Sequence, residues 1–543
     1  MRVENRRQLP CVTGKLWLAL VIASVSGAPV SWAAETSEAT KGNGSHAVFD
    51  VRQFGAKGDG TTPDTAAIQK AIDACARTGG TVLLGNGTFL TGSLHLKSHV
   101  ELHLTSTAVL LASPDLSQYD SDEKFVYKLA RRALIFAEDC QHVAITGQGT
   151  IDGQGDKFPK AENSVRPHLI HMRACRSVRL DGVLLKRSAI FAVWLIQCQQ
   201  ARIEGLRIDN RVQPNNDGLD IDGCRDVFIA NCNIRSGDDS IALKTSEVGH
   251  PCRDIVICNC ILSSDCAAIR VGPDAVADIE NVAASNCVIR DTPLNGIKIE
   301  ETFGAVMQNM VFSNMVMDNV AGPISIRLAG WKQGSGSVWA VFDDSHWQKG
   351  RLRNVLFDNI RARSAGKHCI HITGTPHTAP ENIHFSNIDI SFGGGGSRKD
   401  ADRRDIPEMI HEYPEMYMFG TLPAYGFYVR HAKGIILDNV RFVLESPDFR
   451  PAVVCDDVED FELGRVKADG HPEADSLIRL QQSRKGFITG CRPTGAIGTF
   501  LQVEGSASQD ICLVGNRLSA ARKAVRIADG LSPGVVSYEK LPP

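Results

Sequence analysis

The sequence predicts an all-β fold, a right-handed parallel β-helix with a short N-terminal capping helix. Three observations predict it. Asn recurs at 231, 259, 286, 314, 359 and 387, in steps of 28, 27, 28, 45 and 28 residues, and a period in that range is the mark of a solenoid. The segments around these Asn are short strand-forming runs such as Val227-Phe228-Ile229 and Ile241-Ala242-Leu243, so the stacked unit is a coil of strands. Cys140, Cys175, Cys198, Cys224 and Cys252 each precede such a run, and Cys232, Cys260 and Cys287 each follow an Asn. Small side chains repeated at one position of a repeat read as a buried internal stack.

Taken in order, residues 1–33 read as a signal peptide. Arg2, Arg6, Arg7 and Lys15 give a basic start, residues 16–25 an apolar run, and Ser31-Trp32-Ala33 a small-x-small cleavage site. The run is short for a membrane anchor, and no later stretch is long and apolar enough for a span. The expectation is an exported protein, periplasmic or secreted, and a monomer. Residues 34–46 are small and polar, a linker.

Residues 47–132 read as an N-terminal cap with the first coils. Thr65 to Cys75 has helical spacing, with Ala67, Ile68, Ala71 and Ile72 on one face. Asp64 is the expected N-cap and Gly79-Gly80 the stop. A helix over the open end of a β stack covers the core and blocks edge-to-edge pairing. The Gly-rich turn before it is no phosphate loop, since no Lys-Ser/Thr follows a GxxxxG.

Residues 133–543 form the β-helix domain, with insertions at 330–350 and 393–426. The first holds Trp331, Trp339 and Trp347, which either stack on a sugar ring or pack the loop. The second is Gly-rich and charged; it either walls one end of a cleft or is a surface clasp.

The formal charge is −3. The leader carries four basic residues and one acid, so without it the charge is −3 minus 3, or −6. That argues against a nucleic-acid partner but leaves an acidic polysaccharide open, because a local basic cleft suffices. Fifteen Cys remain after the leader. They lack tetrahedral-site spacing, so a metal site among them is a weak reading; disulfides stay compatible with export.

The chemistry concentrates between Asn215 and Thr245. Asp217 is followed about one repeat later by Asp238 and Asp239. Stacked rungs lie about 4.8 Å apart, which gathers the three carboxylates into one patch. Clustered acids repel, so one holds a proton near neutral pH while another stays ionised. That division is what acid/base cleavage of a glycosidic bond requires. Asp220 and Asp222 read as polar turn residues.

Asn215-Asn216-Asp217-Gly218 resembles the N-T-D motif of glycoside hydrolase family 28, the polygalacturonase family, with Asn216 in place of Thr. Gly237-Asp238-Asp239 resembles its G-D-D motif at the family's spacing. The resemblance extends over nearly all the chain after the leader and implies a pectin lyase-like β-helix acting on galacturonate-containing pectic polysaccharide, without metal or cofactor. It implies inversion, with Asp238 as general acid and Asp217 and Asp239 activating water. Two family motifs are altered. Where G-H-G is expected stands Cys266-Ala267-Ala268, without histidine; His250 reads as a surface residue. The carboxylate-binding R-I-K becomes Lys298-Ile299-Glu300. Asn215, Arg270 and Lys298 are the candidate substrate-binding residues, with exposed salt bridging as the alternative for the two cations. These departures bring rhamnogalacturonan hydrolases into view. A polysaccharide lyase, or a glycan-binding β-helix without catalysis, completes the set of readings.

Overall fold

The structure, a computed structural model, describes residues 47–121, 132–160, 165–331, 345–364 and 366–539. The expected signal peptide and linker, and Trp339, lie outside the described residues. From Val48 onward each strand pairs in parallel with the strand one coil later. Val82 lies opposite Leu102, then Ile145, Leu180, Ile203, Ile229 and Ile257 follow rung by rung. All seven are fully buried. Each such side chain contributes about 1.5–3 kcal/mol through burial. The fold is therefore the expected all-β parallel β-helix.

The repeating Asn owe their place to backbone conformation. Asn231, Asn259, Asn286, Asn314, Asn359 and Asn387 all have φ between 51° and 57°. Few L-residues other than Asn adopt that left-handed conformation readily. Asn259 donates to Asn231 at 3.4 Å and Asn359 to Asn314 at 2.8 Å. A second ladder runs Asn281, Asn309, Asn354 and Asn382, each amide donating to the preceding one at 3.3 Å.

The Cys stack is internal as expected. Cys140, Cys175, Cys198, Cys224 and Cys252 are buried, and each thiol donates to a backbone carbonyl of the preceding coil. Among the described residues every Cys is free of a disulfide.

The helix spans Thr65–Cys75 and buries Ile68, Ala71 and Ile72. Asp64 holds the expected N-cap position, and its carbonyl accepts from the Ile68 amide at 3.0 Å, but its side chain makes no capping bond. Its carboxylate accepts instead from the Lys57 and Gly58 amides, at 2.6 and 2.9 Å, because the Gly-rich turn has unpaired donors closer to hand. No described helix is long and apolar enough to cross a membrane.

Candidate active site

One face of the stack carries the acids. It is built from Leu219–Asp222, Ile241–Thr245, Ala267–Ala275 and the end of Val288–Glu301. Leu219 and Ile221, Ile241 and Leu243, Ile269 and Val271, and Ile297 and Ile299 point into the core, each fully buried. Strand alternation turns their neighbours outward. Asp220, Ala242, Arg270 and Lys298 form one outward column by register, and Asp222 and Lys244 belong to the next.

The two acid motifs meet directly. The Gly237 and Asp238 amides donate to the Asn216 carbonyl, at 3.1 and 3.3 Å, and the Gly218 amide donates to the Asp239 carbonyl at 2.8 Å. Asn216 is fully buried. Its Oδ1 accepts from the Val212 and Gln213 amides, and its Nδ2 donates to the Ser188 and Ile190 carbonyls. It shapes the loop that presents Asp217. Gly218 is required by close approach, since a Cβ there would sit 2.5 Å from the Ser240 carbonyl oxygen.

Asp238 and Asp239 have opposite surroundings. Asp239 is buried; it accepts from the Ala267 amide at 3.1 Å and from Arg270 Nη1 at 3.1 Å. Burial raises its pKa, but the charges of Arg270, Lys244 and Lys298 outweigh that and hold it below the usual carboxylate value. The Asp238 carboxyl has no hydrogen bond or ion pair among the described residues, although its backbone carbonyl accepts from Ser236 and Ser264. Burial, then the charges of Asp217 and Asp239, push it up to about 8. Near neutral pH the first is an ionised base and the second a protonated acid.

Lys244 sits between Asp217 and Asp220, at 3.1 and 2.5 Å, with its Nζ 4.5 Å from the Phe191 ring centre. Burial and the Asp220 charge hold Asp217 well above the usual range despite this cation. Burial pushes Asp220 up to about 6. Asp220 and Asp222 are not turn residues, as their sequence suggested; both are buried on the strand Leu219–Asp222. Asp222 accepts from the Ser246 amide and hydroxyl, at 2.8 and 2.5 Å. The alternation Leu-Asp-Ile-Asp is the signal that identifies the pair.

Arg270 and Lys298 lie beside the acids but are not exposed, so surface salt bridging does not describe them. Arg270 is 4% exposed and Lys298 0%. Arg270 contacts Glu300 Oε2 at 2.8 Å as well as Asp239. Lys298 contacts Glu300 at 3.2 Å and Glu415 at 2.8 Å. Asn215 is half-buried, with φ 55°, and its Oδ1 accepts from Arg166 Nη2 at 3.2 Å. His250 is exposed on the surface.

The excursion at 393–426 supplies the rest of the wall. Tyr413 Oη accepts from Arg270 Nη2 at 2.6 Å across 143 residues of sequence. Its ring meets Trp331 edge-on at 4.8 Å. Arg327 donates to the Glu408 and Met409 carbonyls, and Arg450 to those of Leu422 and Ala424. Ile406, Phe419, Leu422 and Ala424 pack on Cys369, Tyr428 and Val454. The excursion is thus latched onto the face that carries the acids. Trp347 is buried and packs the insertion beneath it, facing His377 and His411. Nothing in the sequence around Tyr413 or Glu415 announced either contact.

Asp238, Asp239 and Cys266 bring one ligand atom each to within 4.8 Å of one another, the set among the described residues with metal-binding spacing. Burial and the Asp239 charge raise the Cys266 thiol, which keeps it protonated, and Asp239 already serves Arg270. The trio is poorly prepared for a cation.

Comparison with known proteins points the same way. The family model for Glycosyl hydrolases family 28 matches residues 76–407, or 332 of 543 residues. The chain is 31% identical over 293 residues to a probable polygalacturonase of Arabidopsis thaliana, covering 51% of this chain and 60% of that one. It is 33% identical over 373 residues to a probable polygalacturonase of Vitis vinifera, covering 62% and 73%. In fold it resembles the family 28 exopolygalacturonase of Yersinia enterocolitica, with a TM-score of 0.61 at 19% identity, over 77% of this chain and 78% of that one.

Proposed function

The chain belongs to glycosyl hydrolases family 28, and from that membership we propose that it is an exported hydrolase of a pectic glycan. Asp238 donates the proton to the leaving oxygen. Asp239 deprotonates the attacking water, which Asp217 helps to hold, on the opposite face of the sugar, so the anomeric configuration inverts. Arg270 keeps the base ionised, and Tyr413 and Asn215 border the substrate. Residues 1–33 serve as the signal peptide, 34–46 as a linker, and the coils from 133 onward as the catalytic body of a monomer.

The observation that carries this reading is the opposite placement of Asp238 and Asp239. One adjacent carboxyl is unpaired and raised to about 8, and the other is ion-paired and lowered. A protonated carboxyl and an ionised one in the same site are what general acid/base hydrolysis uses.

The test is a screen of the purified protein against defined homogalacturonan and rhamnogalacturonan fragments. New reducing ends without an ultraviolet-absorbing unsaturated end support hydrolysis. An unsaturated product would establish a lyase instead, and binding without cleavage a non-catalytic β-helix. Proton NMR of the fresh product reads inversion directly.

A further inference from the structure

The site holds three cations, and each already meets two carboxylates. Lys244 is engaged by Asp217 and Asp220, Arg270 by Asp239 and Glu300, and Lys298 by Glu300 and Glu415. Three positive charges thus face five acids, with Asp238 a sixth titratable group beside them. The next cation along the wall, Arg327, lies opposite Glu300 in register. It donates to the backbone carbonyls of Gly374, Glu408 and Met409. Among the described residues each ammonium and guanidinium of this wall lies against a carboxylate or a carbonyl of the protein, the Lys298 ammonium through ion pairs without a hydrogen bond.

A sugar carboxylate entering here would add a further negative charge to a wall whose acids already outnumber its cations, and would compete with Glu300 and Glu415 for them. Were Glu415 displaced from Lys298, it would be left buried without its ion pair, which is strongly unfavourable. An uncharged ring makes no such demand. The exposed part of Tyr413, backed edge-on by Trp331, offers the apolar surface on which a sugar's C–H face rests.

We propose that the subsite walled by Arg270, Lys298 and Tyr413 takes an uncharged sugar of the glycan, and that Glu415 and Glu300 set this specificity. Glu415 is the decisive residue because it arrives from the excursion, while Glu300 is shared between two cations. The inference rests on the reading that Asp238 drives glycoside hydrolysis, and it names the sugar that this site accepts.

The probes are galacturonate oligosaccharides with free acids and the same oligosaccharides carboxyl-reduced, which keeps the ring and removes the charge. The parent enzyme is expected to hydrolyse the reduced form with a kcat/KM at least tenfold higher. Glu415→Gln releases Lys298 and is expected to narrow that ratio about tenfold, whereas Glu415→Asp, which keeps the charge, preserves it. Equal or faster cleavage of the free-acid form by the parent overturns the proposal, as does an unchanged ratio in Glu415→Gln. Calorimetric titration of Asp238→Asn with both oligosaccharides reads the same preference without turnover. Tighter binding of the reduced form supports the subsite even if hydrolysis itself fails, and tighter binding of the free acid, or of neither, overturns it.

Discussion

Arg270 places its Nη1 3.1 Å from Asp239 Oδ2, and among the described residues no cation pairs with the carboxyl of the preceding residue, Asp238. That contact, with the charges of Lys244 and Lys298, separates two chemically identical neighbours. It keeps one ionised in a buried setting, and the resulting negative charge helps keep the other protonated.

Asp238→Asn is expected to lower kcat by about 10²–10⁴-fold, because an amide cannot supply the proton. Its unpaired carboxyl makes little contribution to the fold, so the melting temperature should hold. Full activity in a folded Asn variant would remove Asp238 from the mechanism.

The pH profile follows from the same pair. The acid must be protonated and the base ionised. Activity is lost as pH rises through about 8, where Asp238 deprotonates. On the other side it is lost only as pH falls below the ordinary Asp value of 3.8, where Asp239 takes up a proton. The measurement is kcat/KM against pH; an alkaline limb near 5 would contradict the assignment.

Tyr413→Phe removes the hydroxyl that receives Arg270 at 2.6 Å and leaves the ring in place. A charged hydrogen bond of this kind is worth about 1.5–3 kcal/mol. Arg270 should hold Asp239 less firmly, moving the acid limb of the pH profile upward and cutting kcat/KM about tenfold. Tyr413 is 38% exposed, so little stability should be lost. A parent-like pH profile would mean that the tyrosine is only a lid contact.

Arg450 is 1% exposed and donates to Asp448 at 2.7 Å and to the Leu422 and Ala424 carbonyls. Arg450→Leu leaves Asp448 buried without its partner and frees the end of the excursion. A loss of about 3–5 kcal/mol is expected, seen in the denaturation midpoint. Combining it with Asp448→Asn should restore part of that loss; no restoration would place the cost in the carbonyl contacts alone.

Asn259 has φ 56° in the turn of its coil. Asn259→Ala forces a β-carbon into that conformation and should cost about 1 kcal/mol. Asn259→Gly relieves the backbone and should be milder, by thermal melting. The opposite order would show that the 3.4 Å bond to Asn231, and not the backbone, selects Asn here.

The sequence by itself determined the coil. The Asn period, the Cys columns and the helix Thr65–Cys75 all have their expected places, because in a solenoid the residues one repeat apart become neighbours whatever else the chain does. The same rule brought Asp217 next to Asp238 and Asp239. Tertiary structure decided the rest. Asp220 and Asp222 passed for turn residues, since their burial depends on what covers the strand. The seclusion of Arg270 and Lys298, and their pairing with Tyr413 and Glu415, depends on where an aperiodic excursion docks. A repeat specifies its own neighbours through a recurring pattern of side chains. An insertion over 100 residues away finds its place by latching contacts that no local pattern encodes, and burial then sets which of the clustered acids keeps its proton.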